Sequence, residues 1–185
     1  EYVPKHLLPR LYGFELMMAP YAVAHMKLGL TLKHTEYDFN SDERLRLYLT
    51  NALQSVDEIP RTDTPFLALE AEEANKVKSN VPITVIIGNP PYAVTSWNSG
   101  EWTTNLVRNS YYPNDEIKEH NPKLLLDDYV KFLRFAHWKI SKSATGVVAM
   151  ITNHGYLDNP TFRRMRQQLM LSFSEIYILD LHGNA

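Results

Sequence analysis

The stretch Ile83-Thr84-Val85-Ile86-Ile87 runs straight into Gly88-Asn89-Pro90-Pro91-Tyr92, and no other segment restricts the fold as tightly. The five leading residues are β-favouring and show little alternation of polar with apolar. That is the pattern of a strand covered on both faces, as in parallel sheets. Two consecutive prolines hold φ near about −65° and remove two N–H donors, so the strand has to stop where they begin.

The remaining chain alternates strands with helices. Residues 10–15 read as a short strand ending in Glu15, and residues 16–34 as a helix with Pro20 in its first turn, where a missing N–H costs little. Nearly every face of that helix is apolar, which predicts burial on most sides. After a polar turn over 38–43, residues 44–51 read as a strand ending near Asn51. Thr64 and Pro65 have the form of an N-cap and first helical residue, opening a helix that runs on through Ser79. Residues 93–126 are a long polar stretch carrying Trp97, Trp102, Tyr111 and Tyr112, with room for a short helix. Asp127 or Asp128 caps a helix whose Tyr129, Phe132, Leu133, Ala136 and Ile140 fall at helical spacing. Residues 146–152 form another strand. Asn159-Pro160 repeat the cap-plus-proline signature before a helix striped by Phe162, Met165, Leu169 and Phe173, with Arg163, Arg164 and Arg166 on its wet side. Residues 175–181 read as a last strand. This order predicts an α/β domain with a mostly parallel sheet. Ligands of such sheets bind outside the carboxyl ends of the strands, so Glu15, Asn51, the Asn89 corner and Asn153 are expected at one edge.

Composition narrows the partners. The 185 residues suffice for one domain with a real core, and 44% hydrophobic with 22% charged residues is ordinary for a soluble globular chain. A net charge of −2 rules out a chain-wide basic clamp for nucleic acid and leaves local phosphate contacts open. There is no cysteine, hence no disulfide, thiolate zinc site or cysteine nucleophile, and a cytoplasmic location fits best. No apolar run reaches the roughly 18 residues of a membrane span, so no membrane partner is expected. The first residues lack the layout of a signal peptide, and a start at Glu1 rather than Met reads as a piece of something longer. The seven histidines show no metal-binding spacing, so no metal site is expected. Asp127-Asp128 and Glu72-Glu73 diverge as adjacent helical positions and read as caps or solvated faces. Ser141 and Ser143 lack the context of an activated nucleophile.

The corner after Ile87 fits one kind of chemistry well. An exocyclic amine on a planar ring, such as that of adenine, has its lone pair delocalised and carries two hydrogens. Two acceptors placed against those hydrogens, out of the ring plane, draw the nitrogen toward sp³ geometry. The Asn89 side-chain oxygen is one such acceptor and the Pro90 carbonyl the other. Pro90 and Pro91 stiffen the corner and strip it of donors. Tyr92 offers a flat face to an extruded base, worth ~1–3 kcal/mol. Asn-Pro alone reads as a tight turn; all four residues at the end of a buried strand favour the functional reading.

Asn-Pro-Pro-Tyr after an apolar strand resembles the catalytic motif of S-adenosyl-L-methionine-dependent amino-methyltransferases, above all those acting on the N6 amine of adenine in DNA. Residues 7–30, 88–98, 127–140, 146–170 and 175–184 are further similar to the methyltransferase region of single-polypeptide type ISP and type IIG-like restriction-modification enzymes. The resemblance implies an α/β, Rossmann-like methyltransferase domain over 1–185. Its function would be methyl transfer from S-adenosyl-L-methionine to adenine N6 in DNA, as the modification part of a restriction-modification enzyme. It places Asn89, Pro90, Pro91 and Tyr92 in catalysis, Glu15 against the cofactor ribose hydroxyls, and Asn51 near the cofactor adenine, where the family often has Asp. Read without it, Glu15 is a helix-start carboxylate favoured by the dipole and Asn51 a strand-end turn.

The chain also departs from the family. The glycine-rich cofactor loop and its strand should precede Glu15, and no Gly-x-Gly occurs in this sequence. Target-recognition, nuclease and helicase motifs are absent. The fold is therefore expected to be incomplete and the isolated fragment inactive. The missing segments of the same polypeptide would be its partners beside DNA. A protein-glutamine or RNA-adenine methyltransferase shares the motif's chemistry, because a side-chain amide also presents a planar NH₂. A non-catalytic scaffold fragment is the third reading.

Overall fold

The computed structural model describes residues 2–39, 42–57, 64–92, 98–112 and 122–181. It divides into two compact units, one formed by Glu1–Ala52 with Val56–Val81, the other by Leu53–Ser55 with Pro82–Ala185.

In the first unit, β1 (Tyr12–Glu15) and β2 (Arg46–Leu49) pair in parallel, Tyr12 opposite Arg46 and Glu15 opposite Leu49. Helix α1 (Met18–His34) makes the crossover between them, and α2 (Pro65–Asn80) packs on β2. Pro65 sits at the first helical position with Thr64 as N-cap, as the sequence predicts. Tyr48, Ala74 and Val77 form the small core, with Tyr12, Phe14 and Val81 against it. Helix α1 departs from expectation: of its residues only Leu32 is buried, while Met18, Val23, Met26 and Leu30 face water. A helix apolar on all sides needs cover on all sides, and the two short strands of this unit touch one side of it.

The second unit holds β3 (Val85–Gly88) and β4 (Val147–Met150), also parallel, with Gly88 opposite Met150. Between them run α3 (Glu101–Tyr111) and α4 (Asp128–Ile140); α5 (Gly155–Asp158) and α6 (Arg163–Ser172) follow β4. Asp127 caps α4, its carboxylate accepting from the Tyr129 N–H at 3.3 Å, a device worth ~1 kcal/mol. Asn159 Oδ1 accepts from the Thr161 N–H at 2.9 Å and opens the turn into α6. The core joins Val107, Tyr111 and Tyr112 to Leu125, Tyr129, Val130, Phe162, Met165 and Leu169. Each large side chain there contributes ~1.5–3 kcal/mol by leaving water.

Two further expectations change, and a third is met. Strand β3 is not covered on both faces: α4 packs against one, and Val85 and Ile87 project outward from the other, Ile87 80% exposed. Residues 175–181 join no ladder among the described residues, and Tyr177 is 87% exposed. Their β-favouring composition supplies only a tendency, and a strand needs a partner edge to become one. The aromatic stretch contains α3, whose Trp102 packs edge-on against Trp138 and Phe135, while Tyr111 and Tyr112 fill the core. These three rings are structural; Trp97 lies outside the described residues. No helix among the described residues is long and apolar enough to cross a membrane.

Candidate catalytic and cofactor sites

Asn89, Pro90, Pro91 and Tyr92 leave the carboxyl end of β3. The ladder continues one step past the strand, the Ile151 N–H donating to the Gly88 carbonyl at 3.0 Å. Gly88 gives room to the Met150 side chain: a Cβ there would lie 2.7 Å from the Met150 sulfur, so that side chain would have to move. Pro90 is buried and anchors the corner, whereas Asn89 and Pro91 are exposed. Tyr92 is 49% exposed. Its hydroxyl donates to Asn89 Oδ1 at 3.2 Å, longer than the 2.7–2.8 Å typical of O–H···O bonds. No described residue donates to the Pro90 carbonyl.

The Tyr92 ring meets Tyr129 edge-on, with centroids 6.4 Å apart and planes at 66°. Tyr129 is buried, and burial pushes its phenol well above the ordinary value. It is braced in turn by Phe162 and Tyr156. One face of Tyr92 thus rests on the core while the ring stays open to water. Asn153, after β4, accepts from the Gly155 N–H at 2.7 Å and shapes that turn; His154 beside it is exposed.

Glu15 and Asn51 lie at the carboxyl end of the other strand pair, in the first unit. The Thr50 N–H donates to the Glu15 carbonyl at 2.8 Å, which sets the two strand ends side by side. Glu15 Oε1 accepts from the Leu16 and Met17 N–H groups at 2.8 and 2.9 Å. It therefore does serve the start of α1, as a helix-start carboxylate should. The same two bonds fix its orientation and leave Oε2 without a partner among the described residues. The Asn51 carbonyl accepts from Lys78 Nζ at 2.8 Å. The predicted residues therefore gather in two sets, Glu15 with Asn51 and Asn89 with Tyr92, each at the end of its own parallel pair. Among the described residues no group of three His, Asp or Glu could hold a metal ion.

Residues 10–185 match the profile of the Eco57I restriction-modification methylase family. The chain belongs to this family. Among solved structures, this chain is similar to the ATP-dependent type ISP restriction-modification enzyme LlaBIII bound to DNA. The TM-score is 0.71 at 26% identity, over 86% of this chain and 11% of that one. It is also similar in fold to a nuclease-deletion mutant of the type ISP enzyme LlaGI in complex with a DNA substrate mimic (TM-score 0.68, 23% identity, 88% of this chain and 15% of that one). A DrdV–DNA complex matches equally well (TM-score 0.68, 24% identity, 88% and 16%). The chain thus spans between 11% and 16% of the length of these enzymes. No curated protein matches it.

Sequence reasoning passed over or misplaced three buried or tethered charges in this chain. Glu70 on α2 accepts from Arg44 at 2.9 Å and from the Leu49 N–H at 3.2 Å, tying the helix to β2. Lys78, on the same helix face, ties it to Asn51. The clue was there, because Glu70, Ala74, Val77 and Lys78 recur at the spacing of a buried stripe. Arg166 is not on the wet side of α6 as expected. Its Nη1 donates to the Tyr156 and Asn159 carbonyls at 2.7 and 2.9 Å and holds the chain between β4 and α6, while Arg163 and Arg164 are exposed.

Proposed function

We propose that this chain is the catalytic part of an adenine-N6-specific DNA methyltransferase using S-adenosyl-L-methionine, the modification component of a larger restriction-modification enzyme. One observation carries the reading: at the exposed end of β3 the Asn89 amide oxygen has a long bond to the Tyr92 hydroxyl and the Pro90 carbonyl has no partner among the described residues. Two acceptors on a rigid, donor-poor corner suit an NH₂ group. The βαβ order of β1, α1 and β2 and the parallel β3–β4 pair support a Rossmann-like methyltransferase domain over 1–185. The DNA complexes formed by its structural neighbours support DNA as the partner. The low coverage of those enzymes supports further domains of the same polypeptide, including the glycine-rich loop segment and a recognition domain, as the others.

The chemistry follows from these groups. The target adenine leaves the duplex, since its amine is unreachable within the stack. To enter, it replaces the Tyr92 hydroxyl at Asn89 Oδ1. Giving up a long, exposed hydrogen bond costs ~0.5–1.5 kcal/mol, and stacking on Tyr92 returns ~1–3 kcal/mol, so the exchange is favourable. Asn89 Oδ1 and the Pro90 carbonyl then take the two amine hydrogens and localise the nitrogen lone pair. Because both acceptors are fixed beforehand, no reorganisation opposes the reaction.

The Glu15 geometry fits the cofactor. One carboxylate oxygen is held by two backbone N–H groups and the other, without a partner among the described residues, would accept from ribose hydroxyls, while Asn51 at the neighbouring strand end would meet the cofactor adenine. When bound, S-adenosyl-L-methionine supplies an electrophilic sulfonium methyl group. The test is transfer of labelled methyl groups by the full-length enzyme to DNA, RNA and protein. Wild type should label adenine in DNA, and Asn89→Ala should slow transfer by ~10²–10³-fold, the usual loss for one preorganised polar group. Equal rates for the two proteins, or label confined to RNA or to glutamine, would overturn the reading.

A further inference from the structure

Lys78 is fully buried on the last turn of α2. Enclosing an ammonium removes its hydration, a cost that an apolar side chain of similar length would not carry. What distinguishes the residue is where its nitrogen ends. Nζ donates to the Asn51 carbonyl at 2.8 Å and stands 5.6 Å above the Phe14 ring. Phe14 immediately precedes Glu15, and Asn51 is the neighbouring strand end, so the ammonium bridges the two segments that present Glu15 and Asn51.

We propose that Lys78 is a positioning residue for the cofactor: by holding the Asn51 carbonyl and lying against Phe14 it fixes the β1–β2 carboxyl edge in its binding form. This rests on the assignment of Glu15 and Asn51 to S-adenosyl-L-methionine. A charged donor strengthens a hydrogen bond roughly twofold over a neutral one, which accounts for a lysine where an apolar residue would pack.

Burial lowers the Lys78 pKa to about 8. The titratable groups on the elements packed against it are Tyr12 and Glu15 on β1, Arg46 and Tyr48 on β2, and Glu70, Glu72, Glu73 and Lys76 on α2 itself. Glu70 is already engaged by Arg44 and Leu49, and Lys76 by Glu72 and Glu73. Loss of the Lys78 proton weakens the tie to Asn51, so cofactor affinity should decline as pH rises through about 8.

The experiment uses the full-length enzyme carrying Lys78→Met, Lys78→Gln or Glu15→Gln. Calorimetry gives the dissociation constant for S-adenosyl-L-methionine between pH 7 and 9.5, and methyl transfer is measured at saturating cofactor. Lys78→Met should weaken binding about tenfold or more, the loss expected for a bond to a charged donor. Its kcat at saturation should stay within about twofold of wild type, and its affinity profile should lack the decline near pH 8. Lys78→Gln, which keeps a neutral donor, should fall between the two and serves if the methionine variant does not fold. Wild-type affinity in both Lys78 variants, or profiles that coincide with wild type, would overturn the role of Lys78. If Glu15→Gln weakens binding while the Lys78 variants do not, only the Lys78 inference falls. If Glu15→Gln binds like wild type, the cofactor assignment beneath it falls.

Discussion

Tyr92 contributes a ring and a hydroxyl, and Tyr92→Phe separates them. The ring rests edge-on against Tyr129 at 6.4 Å with an exposed side for a base. The hydroxyl makes the 3.2 Å bond to Asn89 Oδ1, which in the proposed reaction the incoming amine would displace. Phenylalanine keeps the ring and its support and removes the displaced donor. A bond this long and this wet sits at the low end of the usual ~0.5–1.5 kcal/mol, so its loss should move kcat/KM by no more than about threefold. Tyr92→Ala removes the stacking face, worth ~1–3 kcal/mol, which corresponds to a loss of roughly 5- to 150-fold. Steady-state methylation of duplex DNA by the full-length enzyme compares the two, and 2-aminopurine fluorescence at the target position reports extrusion of the base. If Tyr92→Phe fell as far as Tyr92→Ala, the hydroxyl would belong to the chemistry and the account of the ring as a stacking platform would be wrong.

Two further outcomes are expected. Gly88→Val places a side chain where a Cβ already meets the Met150 sulfur at 2.7 Å. Overpacking of that kind costs ~1–3 kcal/mol, so thermal denaturation should show a lower Tm and methylation should fall with it, while Met150→Ala in the same protein should restore part of both. His137 is buried on α4, and burial, followed by the nearby Arg134, lowers its pKa from 6.5 to about 4. Between those values the unfolded chain binds more protons than the folded one, so stability rises with pH across that window. Wild-type Tm should therefore drop as pH falls from 6.5 toward 4, and His137→Leu should flatten that segment of the curve; parallel curves would refute the assignment.

What could be read from the sequence was whatever local chemistry decides. Asp127 and Asn159 accept the N–H groups of residues two further on, as their positions before apolar stripes require. Phe162, Met165 and Leu169 turn inward because their spacing leaves them no other face. The Asn89 corner was legible because two prolines at a strand end permit few shapes. Other features depend on what lies opposite, and periodicity names an apolar face without naming its cover. That is why α1 and the outer side of β3 are wetter than expected. It is also why residues 175–181, with the composition of a strand, lack a ladder. Lys78 was passed over and Arg166 misjudged for a related reason: charge on a helix predicts water unless a carbonyl waits at the end of the side chain, and only the fold shows where Asn51, Tyr156 and Asn159 present theirs.

The outer side of β3 and β4 bears on when the corner is assembled. Two short strands with one wet apolar face form a sheet of low local stability. Asn89 to Tyr92 hang from its end, so every opening of that ladder scatters the acceptors. Whatever shields Val85, Ile87, Val147 and Ile151 in the working enzyme would also decide what fraction of molecules is fit to react at any instant, from the opposite side of the sheet and without touching the base. Amide deuterium uptake at Val147 and Ile151, whose N–H groups bind the Thr84 and Gly88 carbonyls, gauges that fraction.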